Sequence, residues 1–417
     1  MQFDEAVQYL LSLGHETLAI KLGLRNTELL LQALDNPERA FTSVQIAGTN
    51  GKGSTAAMLD SICRAAGIKT GLYTSPHLVS ITERIRIAGS EITRGDFARH
   101  ATTVRAVAED LLARNEIEAL PTFFEHVTAI ALLAFREAGV EVAILETGLG
   151  GRLDSTTAAK AAIVGITPIA MDHEKYLGNT LTSIASEKAA VIRPGVIAVI
   201  ARQQPEALKV LLERSVEVGV TPRLKPERDF AAEISLSLRG AHQIENASVA
   251  IRLAETLGIS RAAIIRGLET TKHPGRLELI GSFLLDGAHN PAGAQALRNY
   301  LDEFEHGPLT MIFGAMRDKR LDQIAEILFP IPDRLILTPI DNPRSATVEK
   351  LASLAHRTVI ETTSSAEALR VAIAQTPKDG LICVTGSLYL IGETRPMILK
   401  LAEEPRDDAT SRTTKND

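Results

Sequence analysis

Cysteine is nearly absent from the chain: Cys63 and Cys383 are the only two in 417 residues. Cys63 falls in the apolar register of a helix-like segment, and Cys383 lies inside the strand-like run "GLICVTG". Both read as small core residues, which excludes a disulfide framework or a cysteine metal site and suits a reducing compartment. A concentrated block of lysine and arginine is also missing, and the net charge is only −6. A nucleic-acid stripe and a polybasic membrane anchor are thereby excluded as partners, although a few cations can still bind small anions. No apolar run is long enough to span a bilayer. The opening "MQFDEAVQYLLSLG" carries acids early and no apolar core behind a basic start, so it does not read as a signal peptide. A cytoplasmic protein is expected. Internal repeats are absent as well.

What is present is alternation. A chain of 417 residues calls for two or three domains. Strand-like runs at 44–48, 69–74, 140–146, 161–167, 195–201, 281–286, 309–314, 334–338 and 380–385 are separated by amphipathic helix-length segments. That pattern gives an α/β chain with largely parallel sheets. "RIRIAGSEIT" at 84–93 breaks the alternation as a short hairpin. Pro274 and Gly275 interrupt a helical pattern within 270–282, where a second α/β series begins. The expected division is 1–275, 276–402 and a polar tail, 403–417, without aromatics and disordered.

The first motif is "VQIAGTNGKGSTAAMLDSICRAAG": a buried strand, a glycine-rich turn from Gly48 to Gly53, and a helix from Ser54. Glycines at 48, 51 and 53 permit turns that bring amide N–H groups to an anion at a helix N-terminus. Lys52 adds a cation, and Ser54 or Thr55 is placed to reach a magnesium ion. The strict G-x-x-x-x-G-K-[ST] pattern is not met, since Ile46 takes the first glycine position and Gly53 separates Lys52 from Ser54. The loop is a relative of that pattern.

Glu146 closes an apolar strand in "VEVAILETGLGGRLD", the place where phosphate-loop enzymes keep an acid for nucleotide-bound magnesium. Asp172, His173, Glu174 and Lys188 follow another strand, and open α/β sheets gather ligands at the carboxyl ends of their strands. Ser54, Glu146 and His173 are therefore expected to converge. Gln243, Asn246 and Arg276 offer polar groups to a nucleotide, and "SFLLDGAHNPAGAQAL" puts Asp286 and His289 in a turn before a helix starting at Pro291.

Together "GTNGKGS", "TSPHLVSITERIRI", "ETGLGGRLD", "DHEKYLG", "SIASEKAAVIRPG", "GAHQIENA", "HPGRLE", "DGAHNP" and "GSLYLIGE" resemble, in order and over nearly the whole chain, the folate branch of the Mur-ligase superfamily. The resemblance implies an N-terminal phosphate-loop ATPase domain, a smaller C-terminal Rossmann-like domain and an active site in the cleft between them. It implies ATP-dependent addition of L-glutamate to dihydropteroate or to the γ-carboxylate of a folate, through an acyl phosphate, by a monomer. It further implies two magnesium ions, one on Ser54 and Glu146 and another on His173, with a carbamylated Lys188 as an additional ligand. Lys52, His173 and Lys188 carry over as catalytic residues. Thr49, Asn50, Gly51, Lys52, Gly53, Ser54, Thr55, Asn246, Arg276, Asp286 and His289 carry over as contacts to ATP. Ser75, Thr122, Phe124 and Asp154 match the pterin or folate side. One departure stands out: where the family continues with Ala-Thr-Asn, this chain has Ser155, Thr156 and Thr157. The Gly53 after Lys52 also separates the loop from the G-K-T-[ST] of cell-wall ligases.

Overall fold

The computed structural model describes residues 1–14, 23–224, 230–304 and 307–403. These divide into two compact units: Met1–Arg276 together with Asn290–Ala296, and Leu277–His289 together with the chain from Leu297. The last helix runs from Leu388 to Glu403. Residues 404–417, most of the expected tail, lie outside the described residues.

Among the described residues the first unit holds eight strands: β1 (Thr42–Ala47), β2 (Thr70–Tyr73), β3 (Ile85–Ile87), β4 (Ser90–Glu91), β5 (Val142–Glu146), β6 (Ile163–Ile166), β7 (Ile197–Ile200) and β8 (Arg223–Leu224). Their order is β4-β3-β2-β5-β1-β6-β7-β8. Strands from β2 to β8 in that order are parallel, and β3 pairs antiparallel with both β2 and β4, as the hairpin read at 84–93 requires. The period-two alternation of a strand sends successive side chains to opposite faces. Thus Val142 and Ile144 pack with the helix Lys52–Ala65, while Ala143 and Leu145 pack with the helices Arg94–Ala113 and Phe123–Glu137. Both faces are covered, so the strands read as continuous apolar runs.

The register decides where the chemistry sits. Ile46 of β1 lies beside Glu146 of β5, and Ala47 beside Ile166 of β6. Because all three strands are parallel, the segments that follow them emerge side by side at one edge.

The second unit holds β9 (Glu278–Ile280), β10 (Phe283–Asp286), β11 (Leu309–Phe313), β12 (Arg334–Leu337), β13 (Ile360–Glu361) and β14 (Leu381–Thr385), in the order β13-β12-β11-β14-β10-β9. All pairs are parallel except β9 with β10. Arg395 from the last helix fixes β9 by a bidentate pair with Glu278 at 2.8 and 2.9 Å. β8, β9 and β13 are absent from the sequence expectation because two or three residues carry no readable alternation. Among the described residues no helix is long and apolar enough to cross a membrane.

Candidate active site

The glycine-rich loop after β1 is shaped by close approach. Gly48 and Gly51 have φ of +142° and +84°. A Cβ on Gly48 would fall 1.9 Å from Thr167 Oγ1, and one on Gly51 would fall 2.0 Å from Asn246 Oδ1. The helix begins at Lys52, two residues before the start read from sequence, with Gly51 as its left-handed cap. Glycine at 51 permits that early start, so Lys52 and Gly53 belong to the first turn rather than to the loop. Thr55 N–H donates to the Gly51 carbonyl. The amides of Lys52, Gly53 and Ser54 precede it and have no helical acceptor, which makes this N-terminus receptive to phosphate. The amides of Thr49 and Asn50 instead donate to the Pro168 carbonyl at 3.0 and 3.2 Å, tying the loop to the segment after β6. Asn50 turns its side chain to Asn290, whose Nδ2 donates to Asn50 Oδ1 at 2.9 Å.

Ser54 is buried and accepts from Gln243 Nε2 at 3.3 Å, while Asn246 Nδ2 donates to Gln243 Oε1 at 2.9 Å. Helix His242–Thr256 thus holds the hydroxyl in place through two amides in series. Glu146 is buried at the end of β5, and its one hydrogen bond among the described residues comes from Ser75 N–H at 3.1 Å. Burial pushes its carboxyl above the usual range, opposed first by the Lys52 charge. Burial likewise pulls Lys52 below the ordinary lysine range, opposed by Glu146 and Asp172. Each charged form is short of solvation and would gain from a counter-charge. The carboxylate reaches the residue before Ser54, a Cβ on Gly53 falling 3.4 Å from Glu146 Oε2, and a buried carboxylate oxygen suits a hard cation such as magnesium. Among the described residues no three His, Cys, Asp or Glu side chains form a preassembled metal cluster.

Lys188, 4% exposed, donates from Nζ to the Gly48 carbonyl at 2.7 Å. Burial, helped by the Lys52 charge and opposed by Asp172 and Asp154, lowers its pKa to about 7. His173 has a φ of +52° and precedes the short helix Glu174–Leu177. Its Nε2 lies 3.8 Å from Asp172 Oδ2, and Asp172 also accepts from His173 N at 2.8 Å and Asn290 Nδ2 at 3.3 Å. Asn290 and His273 also belong to this neighbourhood but were not singled out as site residues from the sequence. Both stand inside motifs already quoted, Asn290 in "DGAHNP" and His273 at the head of "HPGRLE", beside residues that were chosen.

Of the residues matched to a pterin, Ser75 bonds Glu146 as described, and the other three lie on the helix Phe123–Glu137 and the loop after β5. Phe124 lies half-buried against Gly148, where an added Cβ would fall 2.6 Å from the ring, and it packs on Tyr73 with centroids 5.8 Å apart. Thr122 caps the helix Phe123–Glu137. Asp154 is buried and accepts from Leu149 N at 2.9 Å, Thr156 N at 3.0 Å and Thr156 Oγ1 at 2.5 Å, so its carboxylate shapes the loop after β5. Ser155 and the two threonines after it are absorbed into buried polar contacts. Ser155 Oγ meets Thr128 Oγ1 at 2.7 Å, and Gln45 Nε2 donates to Thr156 and Thr157 at 2.9 and 2.7 Å.

In the second unit Asp286 ends β10 and accepts from Leu277 N and Ala288 N at 2.9 and 3.0 Å. His289 Nδ1 lies 2.7 Å from the Gly287 carbonyl and donates to it. The helix from Pro291 is capped by Asn290, whose Oδ1 accepts from Gly293 N at 2.8 Å, rather than by Asp286.

Residues 46–254 match the Mur ligase middle domain, and residues 275–388 match the Mur ligase glutamate ligase domain. The dihydrofolate synthase/folylpolyglutamate synthase of Bacillus subtilis is 32% identical over 92% of this chain and 96% of its own length. The chain belongs to the folylpolyglutamate synthase/dihydrofolate synthase family of Mur ligases. The structure of Mycobacterium tuberculosis folylpolyglutamate synthase complexed with ADP superposes with a TM-score of 0.89 at 31% identity, covering 95% of this chain and 98% of that one. The Mur-ligase α/β architecture read from the sequence is therefore established. A probable bifunctional folylpolyglutamate synthase/dihydropteroate synthase of Halobacterium salinarum is 35% identical over 95% of this chain but only 51% of its own length. The chain thus spans about half the length of the first curated relatives it matches.

Proposed function

We propose that this chain adds L-glutamate to a pteroate or folate carboxylate at the expense of ATP, releasing ADP and phosphate. Membership of the ligase family supports the reaction class. The single structural observation that carries the reading is the loop helix N-terminus with Lys52, a fixed Ser54 hydroxyl and the buried Glu146 carboxylate beside it. We assign nucleotide and acceptor binding to the first unit and glutamate ligation to the second. We place the protein in the cytoplasm as a monomer acting on small molecules.

A carboxylate resists attack by an amine because it is anionic and lacks a leaving group. In the proposed chemistry its oxygen attacks the γ-phosphorus, the bond to the β-phosphate oxygen breaks, and ADP leaves with that electron pair. The loop amides and Lys52 neutralise the phosphoryl charge, which is the main catalytic contribution in such transfers. The glutamate amine then attacks the acyl carbon, phosphate leaves and the amine proton is released. Ser54 and Glu146 would hold one magnesium ion and His173 a second, supplying charge neutralisation to the phosphates when bound. Asn246, Arg276, Asp286 and His289 are assigned to the nucleotide, with Thr49 and Asn50 shaping its loop. Ser75, Thr122, Phe124 and Asp154 are assigned to the pterin side, Phe124 by its half-buried ring and Asp154 by shaping the loop beneath it.

Lys188 is proposed to react with carbon dioxide, losing a proton and becoming a carbamate. A pKa of about 7 supports this, since the neutral amine is the reacting form. The carbamate keeps one N–H, so the bond to the Gly48 carbonyl can persist, and its new oxygens would be available as ligands to a metal. The acyl-phosphate route is tested with acceptor labelled by 18O in its carboxylate. One label atom should appear in released phosphate, and unlabelled phosphate would refute it.

A further inference from the structure

His273 stands three residues before Arg276 in "HPGR" and has been given no role so far. A Cβ on Gly53 would lie 2.9 Å from His273 Nε2 and 3.4 Å from Glu146 Oε2. Both atoms therefore crowd the same point in the first turn of the loop helix, next to Ser54. His273 makes no hydrogen bond among the described residues, to Glu146 or to any other group. A neutral imidazole keeps one nitrogen lone pair. An unbonded imidazole nitrogen and a buried carboxylate oxygen turned to one small space, with a hydroxyl alongside, form the donor arrangement that a divalent cation completes.

We propose that His273 contributes an imidazole nitrogen to the divalent cation that Ser54 and Glu146 would hold, giving a mixed oxygen–nitrogen site that favours Mn2+ over Mg2+. The proposal rests on the reading of Ser54 and Glu146 as that cation's ligands. Magnesium prefers oxygen and gives up water reluctantly, whereas first-row transition ions accept imidazole readily, so one nitrogen ligand shifts selectivity without changing the charge of the site. The crowding at Gly53 fits the same picture, because only a residue without a side chain leaves the ring and the carboxylate facing each other.

The test uses the full chain with Mn2+ and the non-hydrolysable β,γ-methylene analogue of ATP, whose bridge holds no nitrogen, observed by pulsed electron paramagnetic resonance. Since His173 is a second imidazole candidate, the comparison is made in His173→Ala. Nitrogen modulation of the bound Mn2+ should persist there and vanish when His273→Ala is added. His273→Gln, which keeps bulk beside Gly53, should also remove it, so a collapsed loop cannot imitate the result. In parallel, the ratio of Mn2+ to Mg2+ affinity in the presence of the analogue should fall by about tenfold or more in both His273 variants. Mn2+ that binds in a Glu146-dependent way, without His273-dependent modulation and with an unchanged ratio, overturns the role of His273 alone. Binding that is indifferent to Glu146→Ala overturns the underlying cation site as well.

Discussion

Replacing Lys188 by methionine should flatten the pH dependence of stability. The folded pKa of about 7 compares with about 10.4 for an exposed lysine. Between those values the unfolded chain holds a proton that the folded chain has released, so stability rises with pH across that window. A displacement of roughly 3.5 units at ~1.4 kcal/mol each amounts to ~5 kcal/mol in all, of which ~2 kcal/mol accrues from pH 7 to pH 9. Methionine has nearly the same length and no proton to lose, so this contribution disappears. It also forfeits the bond to the Gly48 carbonyl, a loss of ~1 kcal/mol that does not vary with pH. The informative quantity is therefore the difference in slope. Urea unfolding of wild type and Lys188→Met at pH 7 and 9, in metal-free buffer purged of carbon dioxide, should show the wild type gaining ~2 kcal/mol relative to the variant. Added bicarbonate should stabilise only the wild type. Parallel pH profiles would show that the amine is not held neutral, and the case for its carbamylation would lose its physical support.

Three further substitutions probe the loop and the cation site. Lys52→Ala should lower turnover by about 10²–10³ in an ADP-release assay, because it removes the cation nearest the loop amides. Gly51→Ala should lower stability by ~1–3 kcal/mol, since an alanine at φ +84° would also meet Asn246 Oδ1; combining it with Asn246→Ala should recover part of the loss in thermal melting, and no recovery would deny the clash. Glu146→Gln should weaken Mg2+-dependent nucleotide binding by about 10–100-fold in calorimetry, yet leave the melting temperature unchanged or higher, because a buried charge has been removed.

Much of the architecture could be read in advance because the informative residues are local. Apolar runs such as "VEVAILE" announce buried parallel strands, and glycines 48, 51 and 53 announce a turn. What could not be read depends on residues far apart in the chain. Gly48 is constrained by Thr167 and Gly51 by Asn246, and neither relation has a sequence signature. His273 reaches Gly53 only because the chain returns to the loop after the helix Arg261–Thr270, whose contact with Ile62 also requires Gly267. The consequence of the departure at Ser155 to Thr157 could not be read from the motif. Its hydroxyls join Gln45, Asp154 and Thr128 in a buried network, a partnership that residue identity alone does not disclose. The helix start at Lys52 was missed for a related reason: glycine at 53 looks like loop, but its narrowness serves packing.

The most direct test of the ligase reading is glutamate-dependent ADP release by the purified full chain with magnesium and ATP, offered 7,8-dihydropteroate and tetrahydrofolate separately, with products weighed by mass spectrometry. ADP formation that requires glutamate, with at least one acceptor gaining the mass of a glutamyl residue, is expected. ATP binding with no glutamate-dependent ADP on either acceptor, or a product without the added glutamate, would contradict it.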